Sequence, residues 1–116
     1  MSDGGKVSGI DPNDEAAVLA GIKALVGAGR YRLSFHANRR LSEYGLSMPE
    51  VLEALAGGQL LENYPTYHHG PCCLVYGDTA AGRPLHVVCS STLPELVVIT
   101  VYRPTPPQWR TPTARG

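Results

Sequence analysis

Residues 34–45, Ser34-Phe35-His36-Ala37-Asn38-Arg39-Arg40-Leu41-Ser42-Glu43-Tyr44-Gly45, bring one imidazole and two guanidiniums close together along the chain. The spacing predicts a short helix, entered from Ser34 as N-cap and stopped by Gly45, which accepts the left-handed conformation after a last turn. At 3.6 residues per turn His36, Arg39 and Arg40 lie on adjoining rows of one surface, while Phe35 and Leu41 are free to point into a core. Imidazole moves protons near neutrality, and arginine makes forked contacts with phosphate. The competing reading is a solvated helical face on which the imidazole only caps or packs.

Other chemistries find less support. His68, His69, Cys72 and Cys73 crowd together, but adjacent pairs do not reproduce the C-x-x-C or H-x(3-5)-H spacings of structural zinc sites. Neighbouring residues of a strand also point to opposite faces, so no metal site is expected. A cysteine in an apolar strand has a raised pKa and makes a poor nucleophile. No phosphate-binding glycine loop, paired-carboxylate arrangement or Ser-His-Asp order stands out, and no cofactor is expected.

These residues need a scaffold, and 116 residues supply one domain with a modest core. Hydrophobic content of 43% with 17% charged residues falls in the globular range. No apolar run approaches the roughly 20 residues of a membrane span, and Met1-Ser2-Asp3-Gly4-Gly5 lacks the features of a secretory signal, so a cytoplasmic protein is expected. Three cysteines, an odd count, suit a reducing compartment and read as small buried apolar residues. Net charge is zero, which argues against a non-specific nucleic-acid binder. Its distribution is uneven: four of the ten acids fall in the first fifteen residues, and eight of the ten basic residues are arginines from Arg30 onward. A local basic surface is therefore compatible with a neutral total.

Residues 1–12 are polar and aperiodic and read as a disordered leader. Residues 13–103 read as a single α+β domain. Val18, Leu19, Ile22, Leu25 and Val26 mark an amphipathic first helix ending near Gly27 to Gly29. Tyr31 to Phe35 suits a short strand or an extended lead into the His36 helix. Ser47-Met48-Pro49-Glu50 is a capped helix start, with Val51, Leu52 and Leu55 facing inward and a stop at Gly57-Gly58. Strands are expected at 59–64, 72–77, 84–90 and 96–102, joined in succession. The expected architecture is N-terminal helices packed on one face of a four-stranded, mainly antiparallel sheet. Residues 104–116, with Pro104, Pro106, Pro107 and Pro112, read as an extended Pro-rich tail whose anchor is Trp109.

The ordered set Ser34-x-His36-Ala37-x-x-Arg40, Gly45-Leu46-Ser47 with the Val51-Leu52-Glu53-Ala54-Leu55 helix, Tyr64-Pro65, Gly82-Arg83-Pro84-Leu85-His86-Val87-Val88 and Ile99-Thr100-Val101-Tyr102-x-Pro104 resembles domain-of-unknown-function family 4258, over roughly Tyr31 to Trp109. Family members often carry a second arginine just before the glycine that ends the His helix; Tyr44 stands there in this chain. The resemblance implies a fold similar to the small ribonuclease toxins of the RelE, barnase and colicin type, and a toxin-type endoribonuclease neutralised by a cognate antitoxin protein. Fold likeness alone does not transfer a reaction.

RNA cleavage without metal needs a base for the 2′-hydroxyl, cations for the phosphorane, and an acid for the departing 5′-oxygen. The expected catalytic residues are His36, Arg40 and His86, with Arg39, Arg83 and Tyr102 binding substrate. For His86 the competing reading is a strand histidine satisfied by a neighbouring carbonyl, and for Tyr102 it is core packing. The rival function is a non-catalytic module of the same fold that binds a protein or nucleic acid. A metal-supported nuclease comes third.

Overall fold

The computed structural model describes residues 10–115. The element order is α1 (Glu15–Gly27), β1 (Tyr31–Leu33), α2 (Phe35–Tyr44), α3 (Met48–Ala56), β2 (Gln59–Tyr64), β3 (Cys72–Asp78), β4 (Pro84–Ser90), β5 (Leu96–Tyr102), β6 (Trp109–Thr111) and β7 (Ala114–Arg115). Strands β2 to β5 form where the sequence predicts them, and pair antiparallel in succession. The sheet has five strands rather than four, in the order β1-β5-β4-β3-β2. The extra one is Tyr31–Leu33, which pairs parallel with β5 in the register Tyr31 to Leu96. Three residues are a weak sequence signal for a strand, and the ready-made edge of β5 is what recruits them.

Helix starts follow side-chain chemistry. Asp14 caps α1 by accepting from the Ala17 amide at 3.1 Å. Ser47 and Glu50 close a capping box at α3, with Glu50 Oε1 accepting from the Ser47 amide at 2.9 Å. Both devices satisfy amides that a first turn leaves without partners. Gly45 ends α2 with φ of 64°.

One face of the sheet meets the helices. Val18 and Ile22 of α1, Ala37 and Leu41 of α2, and Val51, Ala54 and Leu55 of α3 share a core with Cys73, Val75, Leu85, Val87, Cys89, Leu96, Val98 and Val101. Each buried aliphatic side chain of this kind contributes about 1.5–3 kcal/mol. Leu52, expected inward, is only half-buried, and Ala54 takes the inner position. Phe35 was also expected in the core and is 80% exposed. It follows the cap directly, and α2 turns Ala37 and Leu41, four apart, to the sheet, which leaves Phe35 on the outer side.

The chain ends differ from expectation. The leader was expected to span residues 1–12, of which 1–9 lie outside the described residues. Ile10 packs against the core beside Gly21, and the Pro12 carbonyl accepts from Asn63 Nδ2 at 2.8 Å. Residues 104–115 are not a simple extended tail: β6 and β7 pair antiparallel and fold back on the sheet. Trp109 is the anchor as expected, at 3% exposure.

Helix α3 reaches the sheet through a glycine. A Cβ on Gly77 would overlap the Ala54 carbonyl oxygen and come within 2.7 Å of its carbon. A methyl there must push helix and strand apart. Gly77→Ala is expected to destabilise the fold by about 3 kcal/mol, the upper end for overpacking, read as a lowered urea midpoint with unchanged slope; a midpoint equal to the parent's would disprove the close approach.

Candidate functional site

The geometry of the site starts at Ser34. Its hydroxyl accepts from the Ala37 amide at 3.0 Å and donates to the Ile99 carbonyl at 2.8 Å, while its own amide donates to the Val98 carbonyl at 2.9 Å. One residue thus caps α2 and ties it to β5. Helix α2 then lies along the strand that carries Tyr102, and its last turn reaches the strand's end.

There a cavity of about 310 Å³ opens, lined by Arg40 and Tyr44 of α2, Tyr102 and Arg103 at the end of β5, and Thr105, Gln108, Trp109 and Arg115 from the C-terminal segment. Among the described residues three guanidiniums and no carboxylate face it. Arg40 Nη1 donates to the Tyr44 hydroxyl at 3.4 Å, and its guanidinium carbon stands 5.7 Å from the centre of that ring. Arg103 Nη2 donates to the Tyr44 carbonyl at 3.1 Å, and its Nε is buried with no hydrogen-bond partner among the described residues. Arg115 lies over Trp109 at 4.6 Å and forks onto Glu62, at 2.8 Å from Nε and 2.7 Å from Nη2. This fork holds the Glu62 carboxyl below its ordinary range. Burial, with Glu62 beside it, pushes Tyr64 up to about 12.

The six expected residues separate into four groups. Arg40 and Tyr102 do share the cavity. His36 and Arg39 line a smaller adjoining one of about 230 Å³ with Arg40 and Glu43, so Arg40 is the wall between them. His36 is exposed, and its Nε2 accepts from Arg40 Nε at 3.4 Å. Arg39 and Arg40 each stand 3.7 Å from Glu43, solvated pairs of the kind worth under about 1 kcal/mol. Arg83 sits exposed in the β3–β4 turn and lines neither cavity. Its charge, with that of Arg103, acts on Glu50 of α3.

His86 is the correction. It lies on the sheet face opposite the helices, paired with Tyr102 across β4 and β5, and is 0% exposed. Its Nε2 is 2.7 Å from the Pro112 carbonyl and its Nδ1 is 3.1 Å from the Tyr102 hydroxyl. The Trp109 ring stands edge-on at 4.3 Å. Substrate cannot touch it. Its environment is the competing one, a strand histidine satisfied by a carbonyl, and the carbonyl comes from the segment expected to be a loose tail. Desolvation lowers its pKa, opposed by the Pro112 bond and Glu62. Tyr102 is half-buried, and desolvation raises its pKa.

Sequence reasoning missed Arg103 and Arg115. Arg103 sits in the quoted pattern as the unread residue between Tyr102 and Pro104, and Arg115 had no signal because its segment read as unstructured. Neither the histidines nor the cysteines of the other cluster form a site: His68 and His69 stack on each other at 4.0 Å in an exposed loop, and all three cysteines are buried. Burial pushes the Cys72 thiol up, and Cys89 rises through its contact with Cys73 and burial. Among the described residues no group of three His, Cys, Asp or Glu is placed to hold a metal ion, and no helix is long and apolar enough to cross a membrane.

A small α+β domain with an arginine-walled cavity between a capped helix and the last sheet strand is what these elements build. The family model described as "Domain of unknown function (DUF4258)" matches residues 33–103, more than half of the chain, and the chain belongs to that family. The matched span runs from the end of β1 through Arg103, and so includes Arg40, Tyr44 and Tyr102 but not Trp109, Pro112 or Arg115. No curated protein and no solved structure matches the chain.

A buried ring with a lowered pKa makes the fold acid-sensitive. The unfolded chain protonates His86 first, so its contribution to stability is full above the ordinary value of 6.5 and falls as pH drops through that value toward the folded one. The unfolding temperature is expected to fall between pH 7.5 and 5.5, with a smaller slope in His86→Gln. A second loss follows below about 4.5 as Glu62 protonates and releases Arg115. A level midpoint across the upper window would contradict the buried neutral ring.

Proposed function

We propose that this domain is a toxin-type endoribonuclease that holds the RNA backbone in the arginine-lined cavity and cuts it by acid–base chemistry without a metal. The observation that carries the reading is the convergence of Arg40, Arg103 and Arg115 from three separate parts of the chain on one cavity that has no carboxylate in its wall among the described residues. A cavity of this kind suits a phosphodiester, whose oxygens accept forked guanidinium bonds and whose charge grows in the phosphorane. Arg103 Nε, buried and without a hydrogen-bond partner among the described residues, leaves this guanidinium incompletely satisfied. His36, against Arg40 in the adjoining cavity, is the solvent-reachable imidazole next to the bound phosphate. The likeness to RelE and barnase-type toxins, a cytoplasmic setting and a cognate antitoxin covering this face belong to the same proposal.

A second reading, a non-catalytic RNA-binding module, is favoured by one observation: the two histidines expected to act together do not meet, since His86 is sealed and His36 lies beyond Arg40. The two readings share the cavity and differ in the outcome of one assay. Purified protein is incubated with end-labelled single-stranded RNA in EDTA, and fragments ending in cyclic phosphate are sought. Cleavage in chelator is expected. Binding without fragments would support the module, and cleavage abolished by EDTA would point to a metal-supported nuclease. In Arg40→Ala, Arg103→Ala binding is expected to weaken at every RNA sequence, with the slope of log affinity against log salt reduced by about one per contact. A double variant that binds and cuts like the parent would remove the proposed site.

A further inference from the structure

His86 is a buried titratable group in this region that the reading above leaves without a task. A carbonyl only accepts, so the 2.7 Å contact to Pro112 requires the proton on Nε2. In the neutral ring Nδ1 is then a bare acceptor, and the 3.1 Å contact requires the Tyr102 hydroxyl to donate to it. Tyr102 therefore turns its own proton inward, away from the cavity whose wall it forms; its oxygen accepts from the Trp109 side chain, and one further lone pair is left for a ligand in the cavity. The imidazole cannot turn to exchange these partners, because Trp109 stands against it at 4.3 Å, Tyr102 at 5.2 Å and Tyr76 at 6.1 Å.

We propose that Tyr102 is the general base of the cavity and that His86, which never touches substrate, is the positioning residue that receives its proton. The proposal rests on the nuclease reading. In the first step the 2′-hydroxyl of the bound nucleotide gives its proton to the Tyr102 oxygen as Tyr102 passes its own to His86 Nδ1. The 2′-oxygen bonds to phosphorus, the bond from phosphorus to the 5′-oxygen breaks, and the His36 ring gives a proton to that leaving oxygen. Afterwards His86 returns its proton through Tyr102 to solvent, and His36 takes one from water. The products are a 2′,3′-cyclic phosphate and a 5′-hydroxyl, and no oxidant or reductant is involved.

The direction of transfer follows from the tautomer. With Nε2–H committed to Pro112, neutral His86 can take a proton from Tyr102 but has none to give it, so Tyr102 serves as base and not as acid. The charged groups facing the imidazole are Glu62 from β2, which favours its protonation, and Arg115 from β7, which opposes it. They are forked to each other, so their effects on the ring oppose one another. Tyr76 of β3, Tyr102 of β5 and Trp109 of β6 are uncharged near neutrality. Burial keeps His86 unprotonated and ready to accept, and activity should fail once acid fills Nδ1.

The test uses the full chain, an end-labelled single-stranded RNA for cutting and its fully 2′-O-methylated counterpart for binding. Tyr102→Phe keeps the ring and removes the oxygen; its cleavage rate is expected to fall by about 100-fold or more, with binding unchanged. His86→Asn can still accept from the Tyr102 hydroxyl but cannot take its proton, so the rate falls and one acid limb of the parent's pH–rate profile disappears. A structural role alone would lower the unfolding temperature and leave that profile's shape intact. If the parent cuts and Tyr102→Phe cuts within threefold of it, or if His86→Asn keeps the parent's acid limb, this assignment is overturned while the nuclease reading stands. A parent that binds RNA and leaves it whole overturns both. Should His86→Asn fail to fold, the Tyr102→Phe rate decides alone.

Discussion

The hydroxyl of Ser34 sits where two kinds of backbone need a partner at once. Helix α2 begins with amides that have no carbonyl behind them, and β5 has an irregularity opposite the Val88–Cys89 step of β4, which leaves the Ile99 carbonyl outside the regular ladder. A hydroxyl both accepts and donates, so one oxygen closes both deficits. An aspartate in that place would cap the helix but could not donate to the strand. Everything proposed for the site depends on this joint, since Arg40 and Tyr44 ride on the helix and Tyr102 and Arg103 on the strand. Short β1 has the same logic: three residues pair with β5 and deliver Ser34 in register.

The opposite face of the sheet shows why the chain does not stop at β5. His86 and Tyr102 are neighbours there, and polar side chains on a half-covered sheet need either water or cover with partners in it. The C-terminal hairpin supplies the second: Trp109 excludes solvent, the Pro112 carbonyl takes the Nε2 proton, and Arg115 neutralises Glu62. Burying the imidazole costs stability in acid, and the hydrogen bonds offset that cost near neutrality by satisfying both ring nitrogens. The hairpin is thus part of the site's wall as well as of its cover.

Legibility in the sequence followed the range of the interaction. Capping signals at Ser34 and Ser47 act within a turn, and α2 and α3 begin where they predict. The four longer strands carry their own β-branched and aromatic content and were equally plain. What escaped were features decided by distant partners. Tyr31–Leu33 is a strand because β5 offers an edge far along the chain, Tyr31 pairing with Leu96. Phe35 is apolar but outside because the cap fixes which face of α2 turns inward. His86 was read as reachable because alternation gives a face, not the cover over it. The cover comes from a Pro-rich segment whose composition resembles a tail.

The position of Tyr44 joins these threads. The resemblance set out above implies an arginine there, and the structure brings Arg103, just past β5, to the same spot, with its guanidinium carbon 6.0 Å from the centre of the Tyr44 ring and its Nη2 on the Tyr44 carbonyl. Arg40 approaches the ring as well, with its Nη1 on the hydroxyl. A phenol between two guanidiniums offers its face to both and its hydroxyl to Arg40, and so holds like charges near one cavity at less cost than a further arginine would. Two of the ten carboxylates stand behind this layer, Glu43 beyond Arg40 and Glu62 beyond Arg115, so guanidiniums and not these carboxylates line the cavity although the sum over the molecule is zero. Net charge describes the whole surface; the cavity is governed by which charges face it.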